Sequence, residues 1–462
     1  MPDRRTELSL TPPRSFQRPD PRSAAAATLS FLFPGLGQAY NQQWQLAVLL
    51  AVPVLLVAAL AVIVIAGAGS GASVLGRLLD SRVLIALIIL DLALLGWRMV
   101  AILQAHSERS RLSARTWTTW ATGLLLVATI AMHALPAYYA AKAIDTLGSV
   151  SLEGGGSLFD GGEGGDVNIP EPSAQPEVGE RVTVLLVGVD FAPGRATHLT
   201  DTMLVTTFDP ESGDVAMISI PRDLYGVPLG DGRVYNAKLN SLMAQASADP
   251  AGYPLGGPAT LKAAVGELLD TRIHYFAAID IEGMRQLIDA IGGVDVVVER
   301  TINDPQYHDA LTGQRGFFIE AGPRHLDGHT AMAFIRSRMA AGESDFTRAE
   351  RQQLVLTAIA EQLTAGNLLV TLPALLDTVR DNVATDIPSR RIPEIATAAQ
   401  DADLRSIERV VLTPDGGYVT VDPNSVAGYV LYPNLDAIRL LGERLFDGVR
   451  PEGPDDMPSS TP

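Results

Sequence analysis

The chain of 462 residues contains no cysteine. That absence removes a disulfide framework, a thiolate metal site and a cysteine nucleophile together. Lysine is nearly missing as well: Lys142, Lys238 and Lys262 stand alone, so arginine carries almost all the positive charge. Even so, the formal net charge is −17. A molecule this acidic lacks the broad basic surface that non-specific nucleic-acid binding needs, and any anionic ligand must be held by a local basic cluster. No Walker loop, HExxH helix, G-x-S-x-G elbow or dinucleotide fingerprint occurs. The seven histidines are scattered. His325 and His329 have the spacing of one helix face but no Cys or acidic company, and are expected to be a surface feature. Zinc hydrolases and Ser–His hydrolases are thereby set aside.

Apolar residues are concentrated near the front. Leu46 to Ala66 is uncharged, Val83 to Gln104 carries Asp91 and Arg98, and a third run extends from Trp117 to Ala140. Each is long enough for a bilayer core of ~30 Å. Residues 24–140 are therefore expected to form an all-helical membrane module with about three transmembrane helices. Asp91 and Arg98, seven apart, are expected to pack within the bundle. Ser23 to Tyr40, with Phe33-Pro34-Gly35-Leu36-Gly37-Gln38, leaves three readings open: a fourth span, a re-entrant hairpin or an interfacial helix. Four full spans would put one basic segment outside, which favours the latter two.

Residues 1–23 form a basic tail with Arg4, Arg5, Arg14, Arg18 and Arg22, and the second loop holds Arg109, Arg111 and Arg115. The first loop offers mainly Arg77 and Arg82 beside Asp80. Positive-inside reasoning puts the tail and the second loop in the cytoplasm, and everything after Ala140 outside a multi-pass cell-membrane protein. Residues 141–180 are expected to be an acidic Gly/Pro-rich linker and 451–462 a disordered tail.

Between them, residues 181–450 have the pattern of an α/β domain with a mixed central β-sheet flanked by helices. Val182–Val187 has the composition of a buried central strand. Thr202–Phe208 and Val215–Ile220 flank a turn at Asp209–Asp214. A helix is expected from Pro258 to Leu269, a strand over Ile273–Ile281, a helix over Met284–Ile291 and a strand over Val294–Val298.

Polar residues collect at the ends of these strands, where α/β proteins place their sites. Asp190 closes the first strand and Asp201 immediately precedes the second, a pairing that suits a hard cation such as Mg²⁺. Arg222 leaves the third strand after Pro221. In Phe334-Ile335-Arg336-Ser337-Arg338, period-two alternation puts Arg336 and Arg338 on one strand face, ~7 Å apart. Such a pair repels unless an anion the size of a diphosphate lies between. Thr347 and Glu350 have capping-box spacing, which starts a helix with Arg348 and Gln352 stacked on one face and Asp345 just ahead of it. Arg351, elsewhere on that helix, is expected to matter less.

These stretches resemble the LytR-CpsA-Psr family of cell-wall glycopolymer transferases. The likeness is carried, in order, by Leu185-Leu186-Val187-Gly188-Val189-Asp190, Thr200-Asp201-Thr202-Met203, Ser219-Ile220-Pro221-Arg222-Asp223, Gly292-Gly293-Val294-Asp295-Val296, Leu326-Asp327-Gly328, Phe334 to Arg338 and Asp345 to Gln353. It covers Arg181 to about Leu363, with a weaker echo in Asn382 to Asp386. The resemblance implies that Asp190 and Asp201 serve Mg²⁺, with Mn²⁺ as substitute. It implies that Arg222, Arg336, Arg338, Arg348 and Gln352 bind a diphosphate, and that Asp345 is a further acidic site residue. Arg222, Asp345 and Arg348 are the catalytic candidates. The implied donor is a glycan on a polyprenyl diphosphate in the membrane and the implied acceptor is peptidoglycan. A lipid-binding regulator without chemistry and a prenyl-diphosphate hydrolase are the alternatives. His198-Leu199-Thr200 departs from the Arg-Ser that family members often carry before the second aspartate.

Overall fold

The computed structural model describes residues 20–66, 80–109, 116–150, 176, 180–189, 199–210, 212–309, 312–364, 375, 377–380, 382–388, 391, 395, 406–422, 425 and 427–446. The chain divides into two compact units, the front region and the remainder.

The front unit begins with α1 (Pro21–Leu32) and α2 (Leu36–Tyr40), separated by a break at Phe33–Gly35. Gly35 sits at φ +102°, a backbone state open to glycine, and a Cβ there would meet the Ala47 carbonyl. Both helices are too short to span. The helices α3 (Trp44–Ala66), α4 (Ser81–Ser107) and α5 (Trp117–Val150) follow. Among the described residues these three are long and apolar enough to cross a membrane. Asp91 and Arg98 serve the bundle separately: Asp91 pairs with His133 of α5 at 2.7 Å, and Arg98 donates to the Phe31 carbonyl. Helix α5 runs ten residues past Ala140, so the first part of the expected linker is helical. The rest of the linker, the basic tail up to residue 19 and residues 451–462 lie outside the described residues.

The second unit is built on a six-stranded mixed sheet in the order β11-β6-β1-β2-β3-β12. Its strands are β1 (Val182–Val189), β2 (Thr200–Phe208), β3 (Val215–Ser219), β6 (Tyr275–Asp280), β11 (Val383–Thr385) and β12 (Glu408–Val411). The pairs β1/β2, β2/β3 and β6/β11 are antiparallel, whereas β1/β6 and β3/β12 are parallel. Between β3 and β6 come β4 (Tyr225–Pro228), β5 (Val234–Lys238), α6 (Leu242–Ala248) and α7 (Gly257–Leu269). After β6 come α8 (Ile281–Ala290), β7 (Val294–Val298), β8 (Ile302–His308), β9 (Arg315–Ile319), β10 (Gly322–Leu326), α9 (Gly328–Arg336) and α10 (Asp345–Thr364). The expected strand at Val294–Val298 forms, but pairs with β10 outside the main sheet. The chain closes with β13 (Val419–Asp422), β14 (Val430–Pro433) and α11 (Leu435–Phe446).

Alternation along β1 sends Leu185, Val187 and Val189 to one face of the sheet and Leu186 and Gly188 to the other. The first face is packed solid against Leu242 and Met243 of α6, Leu261, Val265 and Leu268 of α7, and Ile438 and Leu441 of α11. A second core joins α8, α9, α10 and β7–β10, and contains no residue of the six-stranded sheet. On that side α10 meets β3 and β12, with Gln353 bonded to Ser219 and Val410, while a space is left over β1, β2 and β6.

Candidate functional site

The space left between that second helical layer and the sheet is a cavity of ≈ 1050 Å³. Two register-matched rows line it from the strands, Ala277–Leu186–Leu204 and Ile279–Gly188–Thr202. Met284 and Leu287 of α8, Met332 and Ile335 of α9, and Val355 and Leu356 of α10 line it from the helices. The same lining includes Asp201, Arg222, Lys238, Arg336, Arg338, Arg348 and Gln352. The volume is at the upper end of ordinary ligand sites, which are mostly apolar with a few convergent polar groups.

Arg222 occupies the turn after β3, fixed by Asn240 N–H donating to its carbonyl at 3.1 Å. Its Nη1 donates to Asp201 Oδ1 at 2.7 Å, and its Nη2 lies 3.8 Å from Asp345 Oδ1. Arg348 Nη2 approaches the same Asp345 oxygen at 3.1 Å. Asp201 is the second residue of β2 rather than a residue ahead of it, because the β1/β2 ladder extends through a bulge to Thr200. Asp190, its expected partner, lies outside the described residues, as does His198.

Arg336 and Arg338 line the cavity together, but not as strand neighbours. Arg336 ends helix α9 and Arg338 stands two residues beyond it. Asp327 decides this: its carboxylate caps the helix by accepting Thr330 N–H at 2.7 Å, and the buried run Ala331–Ile335 then winds. The bend that follows is held by Asp304, a residue the sequence did not single out. Asp304 Oδ2 accepts Ser337 Oγ–H at 2.7 Å, Met339 N–H at 3.1 Å and Arg338 N–H at 3.2 Å. Although burial works against its charge, these donors hold the Asp304 carboxyl below the ordinary range. The same bend is held from below by Arg351, which donates to the Ser337 carbonyl, pairs with buried Glu343 at 2.7 Å and lies over the Phe334 ring. Arg351 is therefore a structural post, not a neutral neighbour.

Helix α10 starts at Asp345, ahead of the Thr347 cap that the spacing predicts. Its box is formed by Ser344 and Thr347, whose side chains accept each other's backbone N–H groups, and Glu350 takes no part. Gln353 pins the helix across the sheet by donating to Ser219 Oγ and the Val410 carbonyl, both at 2.9 Å. Arg348 and Gln352 thus reach the cavity from a fixed helix.

The electrostatics are uneven. Burial lowers the Arg348 guanidinium below its ordinary value, Asp345 opposes this, and Arg222 and Arg338 add to it. Its Nε is buried without a hydrogen-bond partner. For Arg222, burial is outweighed by Asp201, Asp345 and Asp223, and the value rises. A buried cation crowded by other cations, with an orphaned donor, is relieved by an anion. Lys238, one of only three lysines, donates to Asp223 Oδ1 at 2.6 Å beside Arg222. That scarcity was the signal that could have marked it. His325 and His329 share no helix face: His325 is on β10 with Asp295, and His329 is on α9 with Gln314.

Among the described residues no three acidic or histidine groups form a ready-made metal cage. Asp201 nonetheless offers a half-exposed carboxylate with hard oxygen chemistry. That fits Mg²⁺, which commonly takes one or two carboxylates and completes its shell with water and phosphate oxygens.

The LytR_cpsA_psr family matches residues 163–433. The polyisoprenyl-teichoic acid–peptidoglycan teichoic acid transferase TagU of Halalkalibacterium halodurans is 28% identical over 262 residues, covering 56% of this chain and 77% of that protein. The protein of the same name from Oceanobacillus iheyensis is 30% identical over 233 residues, covering 49% and 67%. Among solved structures, B. subtilis TagV aligns with a TM-score of 0.46 at 23% identity, covering 58% of this chain and 98% of that one. The matched segment is more than half of the sequence, and the chain belongs to the LytR_cpsA_psr family.

Proposed function

We propose that the chain transfers a glycopolymer from a polyprenyl-diphosphate carrier to peptidoglycan. The observation that carries this reading is one lining that combines apolar walls over ≈ 1050 Å³ with Arg222, Arg336, Arg338 and Arg348. A long apolar chain suits the walls, and a diphosphate suits the arginines, whose planar forks match phosphate oxygens. The names of the relatives point the same way.

In the proposed reaction an acceptor hydroxyl oxygen forms a bond to the sugar-linked phosphorus. The bond from that phosphorus to the bridging oxygen breaks, and its electron pair departs on polyprenyl phosphate. Asp345 takes the hydroxyl proton. Arg222 and Arg348, held against Asp345 from either side, offer donors to the charge that develops on the phosphoryl oxygens. Arg336, Arg338 and Gln352 hold the diphosphate. Asp201, with Asp190, would hold Mg²⁺ or Mn²⁺, which supplies charge neutralisation at the diphosphate when bound.

We further assign the domain to the outer side of the membrane, with the Arg109–Arg115 loop in the cytoplasm, on the arginine distribution. A single cysteine introduced at residue 111 of this cysteine-free chain should resist an impermeant reagent in intact cells, whereas one in the linker should react. The reverse pattern overturns the topology. For the activity, the full chain is incubated with a polyprenyl-diphosphate disaccharide, Mg²⁺ and peptidoglycan fragments. A phosphodiester-linked product that disappears in excess chelator is expected. Release of free sugar phosphate alone would make the protein a hydrolase, and full transfer in chelator would remove the metal from the account.

A further inference from the structure

Beside the large cavity lies a recess of ≈ 30 Å³, which donor binding does not explain. Six residues line both spaces: Asp201, Thr202, Arg222, Asp223, Arg348 and Gln352. They form a partition made largely of the charged groups themselves. The carboxylate of Asp345 and the ring of Tyr429 line the recess and not the cavity. Its volume admits about one water-sized group, so it takes a single hydroxyl but no sugar ring.

Displacement at phosphorus places the entering and leaving oxygens roughly in line. If polyprenyl phosphate departs on the cavity side of the partition, the acceptor oxygen must enter from the other side. The groups waiting there are a carboxylate and an aromatic ring.

The backbone on either side of Tyr429 is held by hydrogen bonds. It follows a turn in which Gly428, at φ +78°, donates to the Ser425 carbonyl at 2.9 Å. The next two residues, Val430 and Leu431, are buried. Leu431 N–H donates to the Asp223 carbonyl at 3.0 Å, so β14, which begins just after Tyr429, is tied to the turn carrying Arg222. The residue itself is 46% exposed. Isolated exposed tyrosines are ordinary, but this one is surrounded by site carboxylates. Partial burial, Asp345 and Asp223 push its phenol up and keep it a proton-bearing donor. Within β14, Tyr432 is also exposed, its ring 5.7 Å from that of Tyr225.

We propose that the recess is the acceptor subsite and that Tyr429 is the platform on which a sugar ring of the acceptor glycan stacks, placing one hydroxyl against Asp345. This rests on the transfer reading above. The hydroxyl oxygen enters the recess, bonds to phosphorus and gives its proton to Asp345, while polyprenyl phosphate leaves with the bridging oxygen on the cavity side. The apolar C–H face of a sugar packs on an aromatic ring, and the phenol donates to a sugar hydroxyl.

The test compares full-length wild type, Tyr429→Ala, Tyr429→Leu and Tyr429→Phe in lipid nanodiscs. Each is assayed with a polyprenyl-diphosphate disaccharide as donor and a soluble peptidoglycan fragment as acceptor, with melting temperature measured alongside. Loss of the ring in Tyr429→Ala and Tyr429→Leu should raise the acceptor KM about tenfold, while Tyr429→Phe stays within about threefold. The donor KM should hold in all three. An unchanged acceptor KM in Tyr429→Leu, or a change confined to the donor KM, overturns the subsite and leaves the transfer reading standing. If Tyr429→Ala melts early, Tyr429→Leu against Tyr429→Phe decides, since both keep a bulky apolar side chain. A wild type that cleaves the donor and transfers nothing to the fragment defeats the transfer reading, and the subsite with it.

Discussion

The two faces of the six-stranded sheet are made from alternate residues of the same strands, yet they have opposite fates. On one, Leu185, Val187 and Val189 are sealed under α6, α7 and α11. On the other, Leu186 and Gly188 face open volume under α8, α9 and α10. The first face stabilises the domain and the second leaves stability unclaimed. Apolar side chains that could have closed on one another keep ≈ 1050 Å³ open instead. At the usual ~25 cal/mol per Å² of apolar surface, that is a standing cost, and a ligand that fills the space recovers it. The contrast separates residues for folding from residues for function.

The largest effect should come from the charged lining. Arg338 is exposed, and among the described residues its guanidinium is in no ion pair. Arg338→Ala should leave the melting temperature nearly unchanged and lower prenyl-diphosphate turnover roughly a hundredfold to a thousandfold, or ~3–4 kcal/mol. Arg338→Lys should recover only part, lacking the planar fork. Near-wild-type turnover in Arg338→Ala would break the anion assignment. Three residues along α10 from Arg348, Arg351 should behave in the opposite way. Removing it leaves Glu343, whose side chain is 2% exposed, with Arg300 at 3.0 Å as its remaining arginine partner and takes the donor from the Ser337 carbonyl, which costs ~1–3 kcal/mol of stability. Denaturant melts that match wild type would show that the bend carrying Arg338 is held by something else.

Leucines from the two layers sharpen the comparison at smaller scale. Leu268 of α7 is fully buried in the packed core, and Leu268→Ala should cost ~2–5 kcal/mol. Leu356 of α10 faces the cavity, and Leu356→Ala should cost about 1 kcal/mol or less while weakening prenyl-diphosphate binding. Equal stability losses would mean that the two faces do not differ as described.

Much of this was legible in the sequence where a local signal suffices. Strand β1, the β2/β3 hairpin and helix α7 follow from composition, turn residues and Pro258. Arg222, Arg336, Arg338, Arg348 and Gln352 do share one lining. The route to Arg336 and Arg338 was mistaken, because a short buried apolar run has no readable period and the decisive residue was the cap, Asp327, seven positions before Phe334. Asp304 and Tyr429 were missed because their work is long-range. Asp304 holds a bend more than thirty residues away, and Tyr429 is brought to the site by ties such as that between Leu431 and Asp223. A hydrophobic cleft for the prenyl chain was expected, but its lining could not be read. Leu186 and Leu356 have the composition of core residues, and only the tertiary spacing between sheet and helices leaves them unfilled.

The most direct measurement is photo-crosslinking of the full-length protein with a polyprenyl diphosphate that carries a diazirine on its isoprenoid chain. The account predicts labelled peptides from β1, β6, α9 and α10, at residues such as Leu186, Ala277, Met332 and Leu356, competed away by unlabelled prenyl diphosphate. Competable labelling confined to the packed face under α7 and α11, or to the front helices, would contradict it.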